Sequence, residues 1–192
     1  LSGVHALVLA AGAGRRFGGR KLTSPWRDGL LIDGALAAAL AAPVRKVWVV
    51  AGADPGVASV VARSPDAGRM QVVEAVAFDE GLSASLKAGL AALPGEADGV
   101  LVFLGDMPNL PRQVLAPLVA AIVAGAPAAA PFFEGRRGHP VAIGRALFPL
   151  LHRLEGDRGA GAILDRLGAA LVRVPTDDPG VLYDVDYAQA PP

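Results

Sequence analysis

The sequence predicts an α/β domain built as a three-layer α-β-α sandwich around a mostly parallel, twisted sheet. Short β-branched runs alternate with alanine- and leucine-rich segments of helical period, the pattern of strands joined by crossover helices. The strand candidates are short and mostly apolar, as expected where helices cover both faces of a sheet. A length of 192 residues suits one domain, spanning 1–192, with a sizeable core.

In chain order the strand candidates are Val4–Leu9, Val47–Ala51, Met70–Glu74, Val100–Leu104, Ala128–Phe133 and Leu171–Val174. A helix is expected around Leu36 and Leu40, which are four residues apart. A second places Leu86, Leu90 and Leu93 on one face behind Ser83, a suitable N-cap whose helix start would leave N–H groups free for an acceptor atom. Gln113–Ala124 reads as a helix following Pro111. Gly135, Gly138 and Pro140 make Glu134–Ile143 a turn between two strands, expected as an antiparallel excursion over the sheet. Helices at Arg145–Leu154 and Ala160–Leu167 and an extended segment at Tyr183–Asp186 complete the domain. Neither an internal repeat nor a low-complexity linker interrupts it.

Composition excludes several classes. Eighteen basic and eighteen acidic residues cancel, so no global field favours nucleic acid or an anionic membrane. With no cysteine, disulfides, thiolate metal sites and a cysteine nucleophile are ruled out, and a reducing, cytoplasmic setting fits. The long uncharged stretch Val114–Phe133 is broken by Pro117, Gly125, Pro127 and Pro131, which argues for helix, turn and strand instead of a membrane span. Residues 4–14 carry no charged leader, so a signal peptide is not expected.

Chemistry concentrates where the first strand ends. Leu9-Ala10-Ala11-Gly12-Ala13-Gly14 runs into Arg15, Arg16, Arg20 and Lys21, so a glycine-rich backbone meets clustered positive charge. That combination suits a polyphosphate. The plain alternative is a tight turn with solvated arginines. The spacing of Gly12, Gly14 and Gly18 matches the dinucleotide fingerprint poorly, no acidic ribose partner follows at the expected distance, and the P-loop pattern is absent. A second feature, Gly105-Asp106-Met107-Pro108, puts a carboxylate at the end of a buried strand, where open α/β sheets bind ligands. Such a carboxylate could hold Mg²⁺, which takes one or two carboxylates together with phosphates and water. Read alone, Asp106 is also an ordinary turn residue.

The segments L-A-A-G-A-G-R-R-F-G-G-R-K (9–21), E-G-L-S-A-S-L-K-A-G-L (80–90), L-G-D-M-P (104–108), G-R-R-G-H-P-V (135–141) and G-D-R-G-A-G (156–161) together resemble the molybdenum cofactor cytidylyltransferase branch of the MobA-like molybdopterin nucleotidyltransferases. The resemblance covers nearly the whole chain. It implies a Rossmann-like fold of the nucleotide-diphospho-sugar transferase type and transfer of CMP from CTP, with Mg²⁺, to the phosphate of a molybdopterin-type acceptor. Under it, Leu9, Ala10, Ala11 and Gly12 contact base and ribose, and Gly14 shares their loop. Arg16 and Lys21 meet the triphosphate and act in catalysis with Asp106. Gly81, Leu82, Ser83 and Ser85 border the base, and Ala11-Gly12 in place of Gly-Gly leans towards CTP. Asp106 binds the metal, with Asp184 or Asp186 as second ligand. Arg137, Gly138, His139 and Pro140 form the acceptor pocket, joined by Arg158 because Gly161 stands where the family commonly has arginine. The turn Gly135–Val141 could dock a recipient molybdoenzyme. A guanylyltransferase for the same cofactor, a sugar- or polyol-phosphate nucleotidylyltransferase and a non-catalytic cofactor-binding chaperone remain as alternatives.

Overall fold

The structure, a computed structural model, describes residues 3–12, 14 and 19–186. Its strands in chain order are β1 (Val4–Ala10), β2 (Pro25–Trp26), β3 (Gly29–Leu30), β4 (Val47–Ala51), β5 (Met70–Glu74), β6 (Gly99–Leu104), β7 (Ala128–Phe133), β8 (Arg136–Arg137), β9 (Val141–Gly144) and β10 (Leu171–Pro175). The α-helices are α1 (Leu31–Ala41), α2 (Gly56–Arg63), α3 (Leu82–Ala92), α4 (Leu115–Val123), α5 (Phe148–Leu151) and α6 (Gly161–Arg166).

The main sheet runs β10-β7-β9-β6-β1-β4-β5, with β8 paired to β7. Strands β5, β4, β1 and β6 are mutually parallel, and β9 runs antiparallel between β6 and β7. The turn after β7 therefore does not lead over the sheet, as the sequence suggested, but into it. Successive strands step from β1 to β4 and β5 on one side, then cross to β6 on the other. This reversal opens a crevice at the carboxyl ends of β1 and β6, aligned by the register Leu9↔Leu104.

Alternation along β1 explains the three layers. Val4, Ala6 and Val8 join a core with Leu31 and Ile32 of α1 and Leu115 and Leu118 of α4. Leu7 and Leu9 point the other way, to Leu86 and Leu90 of α3, Leu151 of α5 and Leu164 of α6. All seven residues of β1 are buried, so even His5 must be satisfied internally: its Nδ1 accepts the Trp48 indole N–H at 3.1 Å. No helix among the described residues is long and apolar enough to cross a membrane.

Local details differ from the sequence-based expectations. The helix expected from Ser83 begins at Leu82, and the N-cap is Gly81 at φ 104°. A Cβ at Gly81 would lie 2.6 Å from the Gly156 carbonyl carbon, so a contact distant in sequence demands glycine there. The expected helices at 113–124 and 145–154 each open with a 3₁₀ turn, Arg112–Val114 and Arg145–Leu147. Tyr183 is extended, and segment 183–186 joins no strand ladder.

Candidate active site

The segments leaving β1 and β6 shape the crevice. The Gly105 N–H donates to the Leu9 carbonyl at 3.0 Å, and a Cβ at Gly105 would stand 3.1 Å from that oxygen. Glycine thus lets the chain turn off β6 directly beside the β1 loop and present Asp106. Three contacts then fix the Asp106 turn. Gly34 of α1 packs so tightly on it that a Cβ would fall 2.6 Å from Pro108 Cα. Gly180, in the 3₁₀ turn Pro179–Leu182, presses on the Asn109 carbonyl. The Val185 N–H donates to the Asp106 carbonyl at 3.1 Å, which draws the C-terminal segment across the site.

Lys21 reaches the same point from the other wall. Its Nζ donates to Asp106 Oδ2 at 2.7 Å, with the two side chains 12% and 27% exposed. Buried Val185 anchors Asp184 and Asp186, both exposed, on either side of it. Partial burial pushes the Asp184 carboxyl above the usual range, and the negative charges of Asp186 and then Asp106 push it the same way, against a smaller opposing pull from Lys21. Negative charge that raises the Asp184 carboxyl's affinity for a proton also favours a cation there. No cluster of three acidic or histidine side chains suited to a metal occurs among the described residues. Asp106 with one of its neighbours fits a hard divalent cation that draws its remaining oxygens from phosphate and water.

A cavity of about 490 Å³ opens above this pair. Leu9, Ala11, Gly12, Gly14, Lys21 and Asp106 line one side, and Gly81, Leu82 and Ser85 line the other. Leu22, Phe78, Asp79, Leu104 and Asp157 also line it. None of these five stood out as a site residue in the sequence, although Leu104 and Asp157 fall inside two of the family-like segments. Ala10 is buried in β1 and Ser83 beneath the helix start, and neither lines the cavity. The Ser83 N–H is not free as expected, because it donates to the Gly156 carbonyl at 3.1 Å. Arg16 lies outside the described residues.

A smaller cavity of about 110 Å³ adjoins the first and shares Leu9, Leu82 and Leu104 with it. It is lined by Leu86, Val102, Val141 and Leu164, with Arg137 and His139 as its polar side chains. Arg137 bonds to Asp165 and reaches the Gly161 carbonyl at 3.4 Å, and a Cβ at Gly161 would lie 3.3 Å from its guanidinium. The His139 N–H donates to the Val181 carbonyl at 2.8 Å, beside a cis His139–Pro140 bond. Burial holds the His139 imidazole below its ordinary value, opposed by the Val102 carbonyl and Asp106 and aided by Arg137. Its Nδ1 is buried and has no partner among the described residues. Gly138 packs on Val181, Pro140 is buried, and Arg158 is exposed and lines neither cavity.

A crevice at the switch point of the sheet, with a lysine–aspartate pair in its lining, is where an open α/β fold of this class binds its ligands. Residues 6–171 match the MobA-like NTP transferase domain, and the chain belongs to that family of nucleotidyltransferases. It is 29% identical over 187 residues to the purine catabolism protein PucB of Bacillus subtilis, covering 94% of this chain and 90% of that one. A solved homologue of Rv0371c from Mycobacterium sp. strain JC1 superposes with a TM-score of 0.80 at 30% identity, over 97% of this chain and 92% of the other. Rv0371c of Mycobacterium tuberculosis in complex with manganese gives a TM-score of 0.73 at 26% identity, over 91% and 89%.

Proposed function

We propose that the chain transfers CMP from CTP to the terminal phosphate of a molybdopterin-type acceptor and releases pyrophosphate. The observation that carries this reading is the Lys21–Asp106 pair in the lining of the larger cavity, close enough to Asp184 to act on its carboxyl. The triphosphate lies along the loop that begins at Ala11, with the base towards Gly81, Leu82 and Ser85. Lys21 leaves Asp106 for the phosphates and, with Arg16, stabilises charge growing on the departing pyrophosphate. Asp106 with Asp184 or Asp186 holds Mg²⁺, which neutralises triphosphate charge and favours in-line geometry when bound. The manganese complex of a relative supports a divalent cation here.

An acceptor phosphate oxygen forms the new bond to the α-phosphorus as the bond to the bridging oxygen breaks, its electron pair leaving with pyrophosphate. The attacking phosphate is already ionised, so no general base is needed. His139 accordingly binds the acceptor, together with Arg137, Gly138 and Pro140, and Arg158 adds to the phosphate contact from the 156–161 turn. Recipient molybdoenzymes dock at Gly135–Val141, and the reaction takes place in the cytoplasm.

Pyrophosphate release with Mg²⁺ should be measured for CTP and GTP against molybdopterin cofactor and several sugar phosphates. CTP with the pterin acceptor is expected to be fastest. Faster turnover with GTP or a sugar phosphate would replace the substrate assignment, and tight binding without any release would favour a chaperone.

A further inference from the structure

Asp54 is a buried carboxylate that the proposed chemistry leaves unused. It lies beyond the end of β4, is 2% exposed, and forms no ion pair among the described residues. Three donors satisfy it instead. Oδ2 accepts the Thr23 hydroxyl at 2.8 Å and the Thr23 N–H at 3.3 Å, and Oδ1 accepts the Gly56 N–H at 3.0 Å. A carboxylate this deep costs stability unless such partners are kept in place. The fit is tight, since a Cβ at Gly56 would sit 2.8 Å from Thr23 Cγ2 and 3.1 Å from Asp54 Oδ1.

Thr23 stands two residues beyond Lys21, and the short link between them is held along its length. The Lys21 carbonyl accepts the Ser24 hydroxyl at 2.7 Å and the Ser24 N–H at 3.3 Å. The Leu22 carbonyl accepts the Ile32 N–H at 3.0 Å. Lys21 Cβ lies where a Cβ on Gly14 would come within 2.8 Å of it. Lysine is a point charge on a flexible stem, so where it delivers that charge depends on how firmly its backbone is held.

We infer that Asp54 is a positioning residue: acting through Thr23, it fixes the Lys21 backbone so that the ammonium group is delivered over Asp106 at the phosphate end of the crevice. The kinetic consequence rests on the proposed nucleotidyl transfer; the placement of Lys21 does not. Thr23→Val removes the hydroxyl and keeps the side-chain shape, Asp54→Asn removes the charge, and Thr23→Ser restores the hydroxyl alone. The first readout is the rate of Lys21 acetylation by mass spectrometry, with Lys46 and Lys87 as internal references. The second is KM for CTP against kcat.

Thr23→Val and Asp54→Asn should raise relative Lys21 labelling and lower kcat/KM for CTP by about 3- to 10-fold, the scale of one lost hydrogen bond, through kcat as well as KM because Lys21 acts on the departing pyrophosphate. Thr23→Ser should return both to wild-type values. Unchanged relative labelling in variants folded by circular dichroism overturns the inference, whatever happens to their melting temperature. If Asp54→Asn does not fold, Thr23→Val decides alone. If the wild-type chain turns over no CTP, the functional reading fails while the labelling still decides this one.

Discussion

Replacing Lys21 with methionine should tighten the binding of a divalent cation in the absence of nucleotide. Lys21 Nζ stands 2.7 Å from Asp106 Oδ2, where any cation on that oxygen must displace it. Bare attraction at this separation is about 6 kcal/mol at an effective dielectric of about 20. With the side chains 12% and 27% exposed, solvent screening and desolvation leave about 1 kcal/mol net. Removing the ammonium spares the incoming ion that cost and the repulsion of a neighbouring positive charge. The Kd for Mn²⁺ alone should therefore fall by about fivefold or more. With CTP present the order reverses, because the phosphates give Lys21 a new partner, and Lys21→Met should weaken nucleotide binding by about 10- to 100-fold. Titration calorimetry with and without CTP measures both. Metal affinity that is unchanged or weaker in Lys21→Met would refute the exchange of partners.

Gly34→Ala should destabilise the fold by about 1–3 kcal/mol, lower Tm by about 2–4 °C per kcal/mol, and reduce turnover, because the new methyl displaces Pro108 beside Asp106. Thermal unfolding and pyrophosphate release check the two effects separately. Burial, and then the nearby charge of Arg45, hold His5 below its ordinary 6.5, with Lys46 assisting and Glu96 opposing. The unfolded chain thus binds more protons below that value, and stability should fall as pH drops from about 6.5 towards the folded pKa. Urea unfolding at pH 7.5 and 5.5 should show the loss, and His5→Phe should reduce it, leaving the share of His139, whose imidazole burial also holds down. Ala11→Gly removes a buried methyl from the lining of the larger cavity; it should cost about 1 kcal/mol and, on the proposed CTP reading, narrow the preference for CTP over GTP in competition assays.

The bounds of β4 and β7 were legible because each is a short apolar run closed by polar or turn residues; β5 was legible from its Val72-Val73 pair. Helix α2 was not, since only Val57 and Val61 of it are buried and its β-branched content blurs the helical period. The insertion of β9 between β6 and β7 is a matter of register, with Gly99 opposite Gly144, and no local pattern encodes it. At the site, Lys21 and Asp106 stood out through their glycines and strand ends. Asp54 did not, because Ala53-Asp54-Pro55-Gly56 reads as a plain turn until Thr23 is seen folded against it. Ser83 misled for the opposite reason, since a good cap residue lies two positions after a glycine that the Gly156 carbonyl requires.

A crystal structure of the chain with Mn²⁺ and a non-hydrolysable CTP analogue, read by anomalous scattering, tests most directly whether one triphosphate–metal unit bridges the two strand ends. A single manganese peak touching Asp106 and a phosphate oxygen, with Lys21 swung onto the phosphates, is the expected result. Manganese bound away from Asp106, or an analogue lying outside the crevice while Lys21 keeps its aspartate, would contradict the account.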